Sequence, residues 1–250
     1  MRNKQREQEI LSILRTKNDF VSVKQLAEAL FASESSIRRD LKAMEQQGMI
    51  KRSYGGAALQ TSTSRIITFN HRTQQNIAAK REIAAKAAAL IPDGSIVFLD
   101  QSSTCFYLAN EIIDRSDLTV VTNNTEIMIL LSNSKMKVIS SGGYLSDENR
   151  NCLIGGDAQR TFADINADIL FFSVKAISWD GTVTDSAREE VIIRNTMLRN
   201  AGKKILLCDS TKFGHSASYK QCELKDVDCL ISEGSQAQDF SDYKGRLDLL

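Results

Sequence analysis

Two cations, a hydroxyl and an amide recur along residues 34–46 at a spacing that would place them on one side of a helix. At about 100° per residue, Ile37, Leu41 and Met44 form an apolar stripe. The opposite side carries Ser35, Arg39, Lys42 and Gln46, with Ser36 and Arg38 on its flank. These side chains suit the base edges and phosphates of a major groove. For an isolated helix a solvated surface is the more common explanation of such a face, so the elements around it decide between the two interpretations.

Other polar residues stand directly after short apolar runs in the second half of the chain. They are Asp100, Ser102, Ser103 and Thr104; Thr122, Asn123 and Asn124; Ser141 to Gly143; and Asp209 to Gly214, which includes Lys212. Each group alone is typical of a turn or a helix cap. Because ligands of open α/β sheets bind outside the carboxyl ends of the strands, the repetition favours one shared site. Hydroxyls and free N–H groups at a helix start suit a phosphate.

Three short helices are predicted at the N-terminus. The first covers residues 6–15 and is followed by an Asn-Asp turn. Ser22 can cap a second helix over residues 23–30, and Ser33 can cap a third that runs to about Gln47. Two helices joined by a short turn, the second exposing cations, form the helix-turn-helix arrangement. This context favours contact with double-stranded DNA for the polar face of the third helix.

A β-wing is predicted after the third helix. Residues 49–56 alternate apolar and basic side chains before a Gly-Gly turn, so Lys51 and Arg52 can reach the DNA backbone or minor groove. Residues 1–56 carry 11 Lys and Arg against 7 Asp and Glu, whereas the remainder carries 21 against 24. A basic segment on a slightly acidic body indicates that one end of the chain meets a polyanion.

The predicted domain plan has four parts. Residues 1–57 form the winged helix-turn-helix domain, 58–75 a linker around the polar cluster at 61–64, 76–235 a larger domain, and 236–250 a C-terminal tail. In the larger domain a helix at 77–90 precedes five apolar runs of strand length, several of them separated by helical spacers. The runs are 95–100, 118–122, 137–140, 169–174 and 204–209. This alternation predicts an α/β fold with a largely parallel sheet.

Composition limits the class of protein further. The chain has 250 residues, of which 42% are apolar, enough for a sizeable core. Five cysteines without a Cys-x-x-Cys pair favour a reducing cytosol, and they predict neither a disulfide framework nor a metal site. No apolar run approaches the roughly 20 residues that cross a bilayer. We therefore expect a cytoplasmic protein with no cofactor and no membrane partner.

The N-terminal residues closely resemble a known family of DNA-binding proteins. The resemblance rests on residues 23–27, 35–41, 48–52 and 55–57, and its most specific part is Ile-Arg-Arg-Asp-Leu followed by Gly-Gly-Ala. These match the N-terminal domain of the DeoR family of bacterial regulators. The resemblance implies a winged helix-turn-helix that binds operator DNA.

The larger domain resembles the C-terminal effector domain of the same family, a fold related to ribose-5-phosphate isomerase. Residues 100–104 match the family's Asp-x-Gly-Ser-Thr loop with Ser102 in the glycine position, and residues 122–124 and 209–214 match two further loops. The resemblance implies a repressor of carbohydrate genes controlled by a phosphorylated sugar or related metabolite. The implied ligand contacts are Ser103, Thr104, Asn123 and Lys212, with Asp100 accepting from a hydroxyl.

Two departures from the family pattern concern the ligand. Lys175 stands in a segment where many members have a carboxylate, so the ligand is expected to be more anionic or otherwise different. Arg194 replaces the family's lysine after the acidic pair Glu189-Glu190. Arginine binds phosphate as a rigid fork but does not readily give up a proton, so ligand binding survives this change more easily than catalysis.

Two alternatives stay open from the sequence. A sugar-phosphate isomerase with an appended DNA-binding domain would need a base, for which Asp100, Asp180 and Asp185 are candidates. Residues 175 and 194 depart from the family where an isomerase needs its reactive groups, which disfavours it. An architectural DNA binder with an inert body is disfavoured by the polar strand ends. Because one helix-turn-helix reads only a short half-site, we also expect a homo-oligomer, either a dimer or a tetramer.

Overall fold

The computed structural model describes residues 2–17, 20–46, 49–53, 55–59, 67–234 and 248–250. The chain divides into two compact units, Met1–Gln74 and Gln75–Leu250. Within these described ranges no helix is both long and apolar enough to cross a membrane.

The first unit contains a helix-turn-helix followed by a wing. Its elements are α1 (Arg2–Lys17), β1 (Val21–Ser22), α2 (Val23–Ala29), α3 (Glu34–Gln46), β2 (Ile50–Ser53), β3 (Gly56–Leu59) and α4 (Ile67–Gln74). The wing strands β2 and β3 pair antiparallel, and β1 adds to the other edge of β3. Ile10, Leu26, Ile37, Leu41 and Met44 are buried together between the helices. The predicted winged helix-turn-helix is confirmed.

The helix starts of this unit follow local side-chain chemistry. The Ser22 hydroxyl accepts from the Gln25 N–H at 3.1 Å, and the Gln25 side chain accepts from the Ser22 N–H at 3.0 Å. This reciprocal capping box satisfies two N–H groups that a helix start leaves unpaired. Ser33 accepts from the Ser36 N–H at 3.3 Å. Both predicted caps are confirmed, and the capping box at α2 is a further feature that was not predicted. The predicted Asn18-Asp19 turn and the stop at Gly48 lie outside the described residues.

The segment predicted as a linker, 58–75, is more ordered than its composition indicates. Strand β3 extends into it as far as Leu59, and α4 occupies residues 67–74. Phe69 of α4 is buried. The α4 sequence has no clear apolar periodicity, so a single buried aromatic residue gives no pattern that predicts a helix.

The second unit is built on a seven-stranded parallel sheet. Its strands in spatial order are β15 (Asp248–Leu249), β14 (Cys229–Ile231), β12 (Ala201–Leu207), β9 (Ala167–Phe172), β4 (Ile96–Leu99), β5 (Thr119–Thr122) and β6 (Lys137–Ser140). From β4 the chain adds β5 and β6 on one side, then crosses to β9 and adds β12 and β14 on the other. The order therefore reverses between β4 and β9, which is where ligands bind in sheets of this kind.

Helices and apolar cores cover both faces of this sheet. The helices are α5 (Ile77–Ala88), α6 (Ser103–Glu111), α7 (Thr125–Leu131), α8 (Gly156–Ala163) and α9 (Arg188–Arg199). Alternate residues of β4 enter different cores: Phe98 packs in one cluster, and Val97 and Leu99 in the other. Because successive strand residues point to opposite faces, a strand buried on both sides reads as a continuous apolar run. The predicted α/β fold with a parallel sheet is confirmed.

Smaller sheets flank the main one. β7 (Tyr144–Leu145) pairs with β8 (Leu153–Ile154), and a three-stranded antiparallel sheet contains β10 (Ala176–Ile177), β11 (Thr182–Asp185) and β13 (Tyr219–Glu223). The predicted C-terminal tail is wrong for residues 248 and 249, because β15 pairs with β14 at the sheet edge. A strand of two residues is too short to show a periodic pattern.

Candidate functional site

The polar face of α3 is open to solvent. Ser35, Arg38, Arg39 and Lys42 are exposed and Ser36 is half-buried, while the side chain of Gln46 lies outside the described residues. The apolar stripe on the other side is buried at 0–1% exposure. The helix is therefore held by its stripe and leaves its donors free of packing.

The cations of the first unit differ in their pairing. Arg38 donates to Glu34 at 2.6 Å, one turn earlier on α3, and Arg52 of the wing lies 3.8 Å from Glu45. Arg39, Lys42 and Lys51 are exposed and form no ion pair with any residue that the structure describes. These three cations are thus available for phosphates or bases without breaking an ion pair to any described residue.

Asp40 of the Ile-Arg-Arg-Asp-Leu run has a structural position. Its carboxylate is buried and accepts from Nε of Arg6 on α1. That hydrogen bond raises the pKa of Arg6 above its ordinary value. The pair ties α3 to α1, which explains a carboxylate in a segment that otherwise carries cations.

In the second unit, Asp100 stands where the strand order reverses. Its Oδ1 accepts from the Ser102 N–H at 2.9 Å, and its Oδ2 accepts from the Ser173 N–H, beyond the end of β9, at 3.2 Å. The Asp100 N–H donates to the Phe171 carbonyl at 3.2 Å. Asp100 therefore joins the loops after β4 and β9, and its carboxylate is already satisfied by the protein.

Arg194 of α9 is enclosed by carboxylates and is 1% exposed. Its Nε donates to Asp100 at 3.0 Å, and its Nη1 donates to Asp185 at 3.1 Å and to Gln221 at 2.7 Å. Burial alone would lower the pKa of Arg194, but the nearby carboxylates outweigh it and raise the pKa. The guanidinium holds β4, β11 and β13 together. Two predictions do not fit this pairing: that Arg194 binds a ligand phosphate, and that Asp100 accepts a hydrogen bond from a ligand hydroxyl.

The start of α6 carries unpaired donors. Ser102 caps the helix by accepting from the Cys105 N–H at 3.1 Å, and Ser103 and Thr104 follow it in buried positions. No described residue accepts from the backbone N–H of Ser103 or Thr104. Free N–H groups at the start of a nine-residue helix favour an anion.

The loop after β5 divides its three polar residues between two roles. Thr122 accepts from the Asn124 N–H, and Asn124 accepts from the Glu126 and Ile127 N–H groups, so both shape the start of α7. The Asn123 amide donates to the Leu153 carbonyl at 3.2 Å. Its Oδ1 is buried and has no partner among the described residues.

A buried polar network extends from Asn123 and was not predicted. Gln101 lies within hydrogen-bond distance of Asn123 and donates to Glu190 at 2.8 Å, and Asn149 donates to the other Glu190 oxygen at 3.0 Å. Asn149 Oδ1 is also buried without a described partner. Gln101 directly follows a predicted strand, so its position in the sequence is a signal for this site. Asn149, in the connection between β7 and β8, carries no sequence signal.

The two predicted lysines lie at the ends of neighbouring strands. Lys212 is half-buried in a 3-10 turn (Ser210–Lys212) after β12, and its side chain pairs with no described residue. Lys175 is exposed beyond the end of β9. Because β12, β9, β4 and β5 are adjacent, Lys212, the α6 start and Asn123 lie along the same edge of the sheet.

The candidate bases for an enzyme are not free groups. Asp100 and Asp185 both accept from Arg194. Asp180 is exposed in the turn between β10 and β11, where its carboxylate accepts from the Thr182 N–H at 2.9 Å; that bond lowers its pKa.

Family models match both units. One described as the DeoR C terminal sensor domain covers residues 75–234, and one described as a DeoR-like helix-turn-helix domain covers residues 6–63. The regulator GolR of Listeria innocua is 33% identical over 230 residues, which cover 92% of this chain and 90% of that protein. The glycerol-3-phosphate regulon repressor of Escherichia coli is 29% identical over 255 residues, with both chains fully covered.

Among solved structures, ribose 5-phosphate isomerase A of Methanocaldococcus jannaschii is similar with a TM-score of 0.41 and 15% identity, covering 54% of this chain and 53% of that one. A similarity of this size supports no conclusion. The predicted likeness to that isomerase stays a prediction.

Proposed function

This chain belongs to the DeoR family of HTH-type transcriptional regulators, and on that premise we propose that it represses genes by binding an operator from which a phosphorylated metabolite releases it. The metabolite is a phosphorylated sugar or a closely related polyol phosphate. Operator binding belongs to the first unit and metabolite binding to the second.

The DNA-binding part of the proposal is supported by three exposed cations on α3 and the wing, Arg39, Lys42 and Lys51, which form no ion pair with a described residue. We assign Arg39 to base edges because its planar guanidinium can donate two hydrogen bonds to a guanine. Lys42 and Lys51 are placed at phosphates, where a flexible point charge suffices. Ser35 lies on the same face and adds a hydroxyl.

One observation carries the effector part of the proposal. The N–H groups of Ser103 and Thr104 have no acceptor among the described residues, and the ammonium of Lys212, which pairs with none of those residues either, lies at the same edge of the sheet, two strands away. Helix-start N–H groups and a nearby lysine together suit a phosphate dianion. Lys175, on the intervening strand end, is positioned to add a second positive charge.

The remainder of the ligand is inferred from the orphaned amide oxygens. Asn123 and Asn149 each use their Nδ2 on protein acceptors, which fixes the orientation of the amide and leaves a buried Oδ1 without a described donor. A buried acceptor without a donor is destabilising by about 1 to 3 kcal/mol. Hydroxyl groups of a sugar or polyol would satisfy both oxygens. The name of the Escherichia coli relative, which refers to glycerol-3-phosphate, is compatible with such a ligand.

The isomerase alternative is not favoured by the geometry. Asp100 and Asp185 are bound to a guanidinium, and a carboxylate held this way is a poor base. Arg194 keeps its own proton, so it offers no acid–base alternative. The same contacts are compatible with a rigid binding site.

Thermal unfolding of the full chain tests the effector class. Each phosphorylated sugar or polyol is compared with its unphosphorylated form. Only phosphorylated members should raise the unfolding midpoint, and a ligand at 100 times its Kd adds about 2.7 kcal/mol of stability. Equal shifts from phosphorylated and unphosphorylated forms would contradict a phosphate site. Turnover of a pentose phosphate by the purified chain would replace the sensor assignment with the isomerase.

We also propose that the chain binds DNA as a homo-oligomer, because a single α3 reads only a short half-site. Sedimentation of the chain alone and with operator DNA measures this. A protein that stays monomeric on the operator would contradict it.

A further inference from the structure

Phe31, in the turn between α2 and α3, has the most exposed of the large apolar side chains that the structure describes. It is 99% exposed, compared with 64% for Ile129 and 58% for Trp179. Burial of an aromatic ring normally stabilises a folded protein, because it removes a large apolar area from water. The fold of this domain gains no such burial from Phe31.

The backbone of Phe31 is also unfavourable for its residue type. Its φ is 48°, in the left-handed region that side chains with a Cβ rarely adopt. The geometry is set by the end of α2, where the Ala32 N–H donates to the Ala27 carbonyl and the Leu30 N–H to the Leu26 carbonyl, both at 3.0 Å. Glycine is the usual residue at such a helix end because it adopts this conformation without strain. Phenylalanine therefore occupies a position whose backbone conformation disfavours it.

The position of Phe31 in the helix-turn-helix indicates a function for its exposed ring. It lies two residues before Ser33, the residue that caps α3, and Ser35 and Arg39 follow on the exposed face. In helix-turn-helix proteins the N-terminal residues of the second helix contact base edges in the major groove. The turn that leads into this helix therefore comes close to the same groove.

We propose that Phe31 is a specificity-determining residue for the operator, and that its ring contacts the 5-methyl group of a thymine in the major groove. A phenyl ring neither donates nor accepts a conventional hydrogen bond, and the thymine methyl is the apolar feature of the base edges in that groove. This inference rests on the proposed function and adds one base preference to it. It also accounts for a strained, fully exposed aromatic residue that the free protein does not use.

The test compares the wild-type chain with Phe31→Gly and Phe31→Tyr on an operator selected in vitro with the wild-type chain. Anisotropy titrations are made with this operator and with versions in which one thymine at a time is replaced by deoxyuridine, which lacks only the methyl group. In the wild type, one replacement in each half-site should weaken binding about fourfold, the effect of one buried methyl group. Phe31→Gly should bind about tenfold more weakly and be insensitive to that replacement. Phe31→Tyr keeps the ring and should retain both properties.

Thermal unfolding separates this role from a structural one. Phe31→Gly relieves the left-handed strain, so its first unit should unfold at the same or a higher temperature than the wild type. A lower unfolding temperature, unchanged operator affinity in Phe31→Gly, or equal sensitivity of both proteins to deoxyuridine would each overturn the proposal. In all these cases the wild type still binds the operator. Failure of the wild type to select any DNA sequence would instead contradict the proposed function.

Discussion

Nε of Arg194 donates to Oδ2 of Asp100 over 3.0 Å in a buried position, and the other end of the guanidinium reaches Asp185. The contact joins α9 to the loop after the central strand β4. Asp100 also accepts from the Ser102 N–H, so the guanidinium is one residue removed from the start of α6. In the proposed effector site, Arg194 therefore positions the loop through Asp100, and Lys212 and the α6 start are the groups assigned to the ligand.

Removing the Arg194 cation should strongly destabilise the second unit. Arg194→Leu leaves Asp100 and Asp185 close together without their shared partner, and breaking a buried pair in this way costs about 3 to 5 kcal/mol. Arg194→Lys keeps the charge but loses the fork, so it should be less damaging. Urea unfolding of the three proteins measures the difference. A loss below about 1 kcal/mol in Arg194→Leu would show that the pair does not hold the site together.

Lys212→Ala should keep operator affinity and lose the response to the phosphorylated metabolite, because it removes a charge at the effector site only. Lys203→Ala is the matched control, since Lys203 is exposed near the opposite end of the same strand, β12. The readout is operator affinity of each variant with and without the metabolite. If Lys212→Ala binds the operator poorly without ligand, Lys212 has a structural role. If it responds as Lys203→Ala does, Lys212 is not a ligand contact.

Arg39→Ala and Lys42→Ala should weaken DNA binding in different ways. Loss of a base contact at Arg39 should cost about 1 to 3 kcal/mol and relax the preference at one base pair. Loss of a phosphate contact at Lys42 should weaken all sequences alike and reduce the salt slope by about 1. Anisotropy titrations at two salt concentrations, with cognate and shuffled operators, distinguish these outcomes. Unchanged affinity in both variants would remove α3 from the DNA interface.

The buried thiols should make stability fall at high pH. Burial raises the pKa of Cys222 to about 12, whereas an unfolded cysteine titrates near about 8.5. Below about pH 8.5 the thiol is protonated in both the folded and the unfolded state, so it has no effect on the pH dependence of stability. Between about pH 8.5 and 12 the thiol loses its proton only in the unfolded state, which favours unfolding. Stability should then fall by about 1.4 kcal/mol per pH unit for this group. Urea unfolding from pH 8 to 10 should show a shallower decline in Cys222→Ala. Parallel declines would rule out this contribution.

The sequence predicted the elements with strong local patterns. The stripe of Ile37, Leu41 and Met44 located α3, and the continuous apolar runs located five of the seven strands of the main sheet to within about three residues at their ends. The caps at Ser22 and Ser33 were readable because a hydroxyl precedes an apolar period in each case. These features depend on neighbours in the chain.

The parts that escaped prediction depend on contacts between distant segments. The roles of Asp100 and Arg194 follow from their ion pair, which joins residues 94 positions apart. Asn149 reaches Glu190 across 41 positions, and β15 is defined only by pairing with β14. Residue type and spacing located the loops of the site, but they did not separate residues that the protein already uses from those left for a ligand.

The linkage between operator and metabolite is the most direct test of the whole account. Operator affinity of the full chain is measured by anisotropy with and without the phosphorylated compound that stabilises it most, and the affinity for that compound is measured with and without operator. We expect operator affinity to fall by about 5- to 150-fold with the compound bound, and the affinity for the compound to fall by the same factor on the operator, as linkage requires. A compound that binds tightly and leaves operator affinity unchanged would contradict the account.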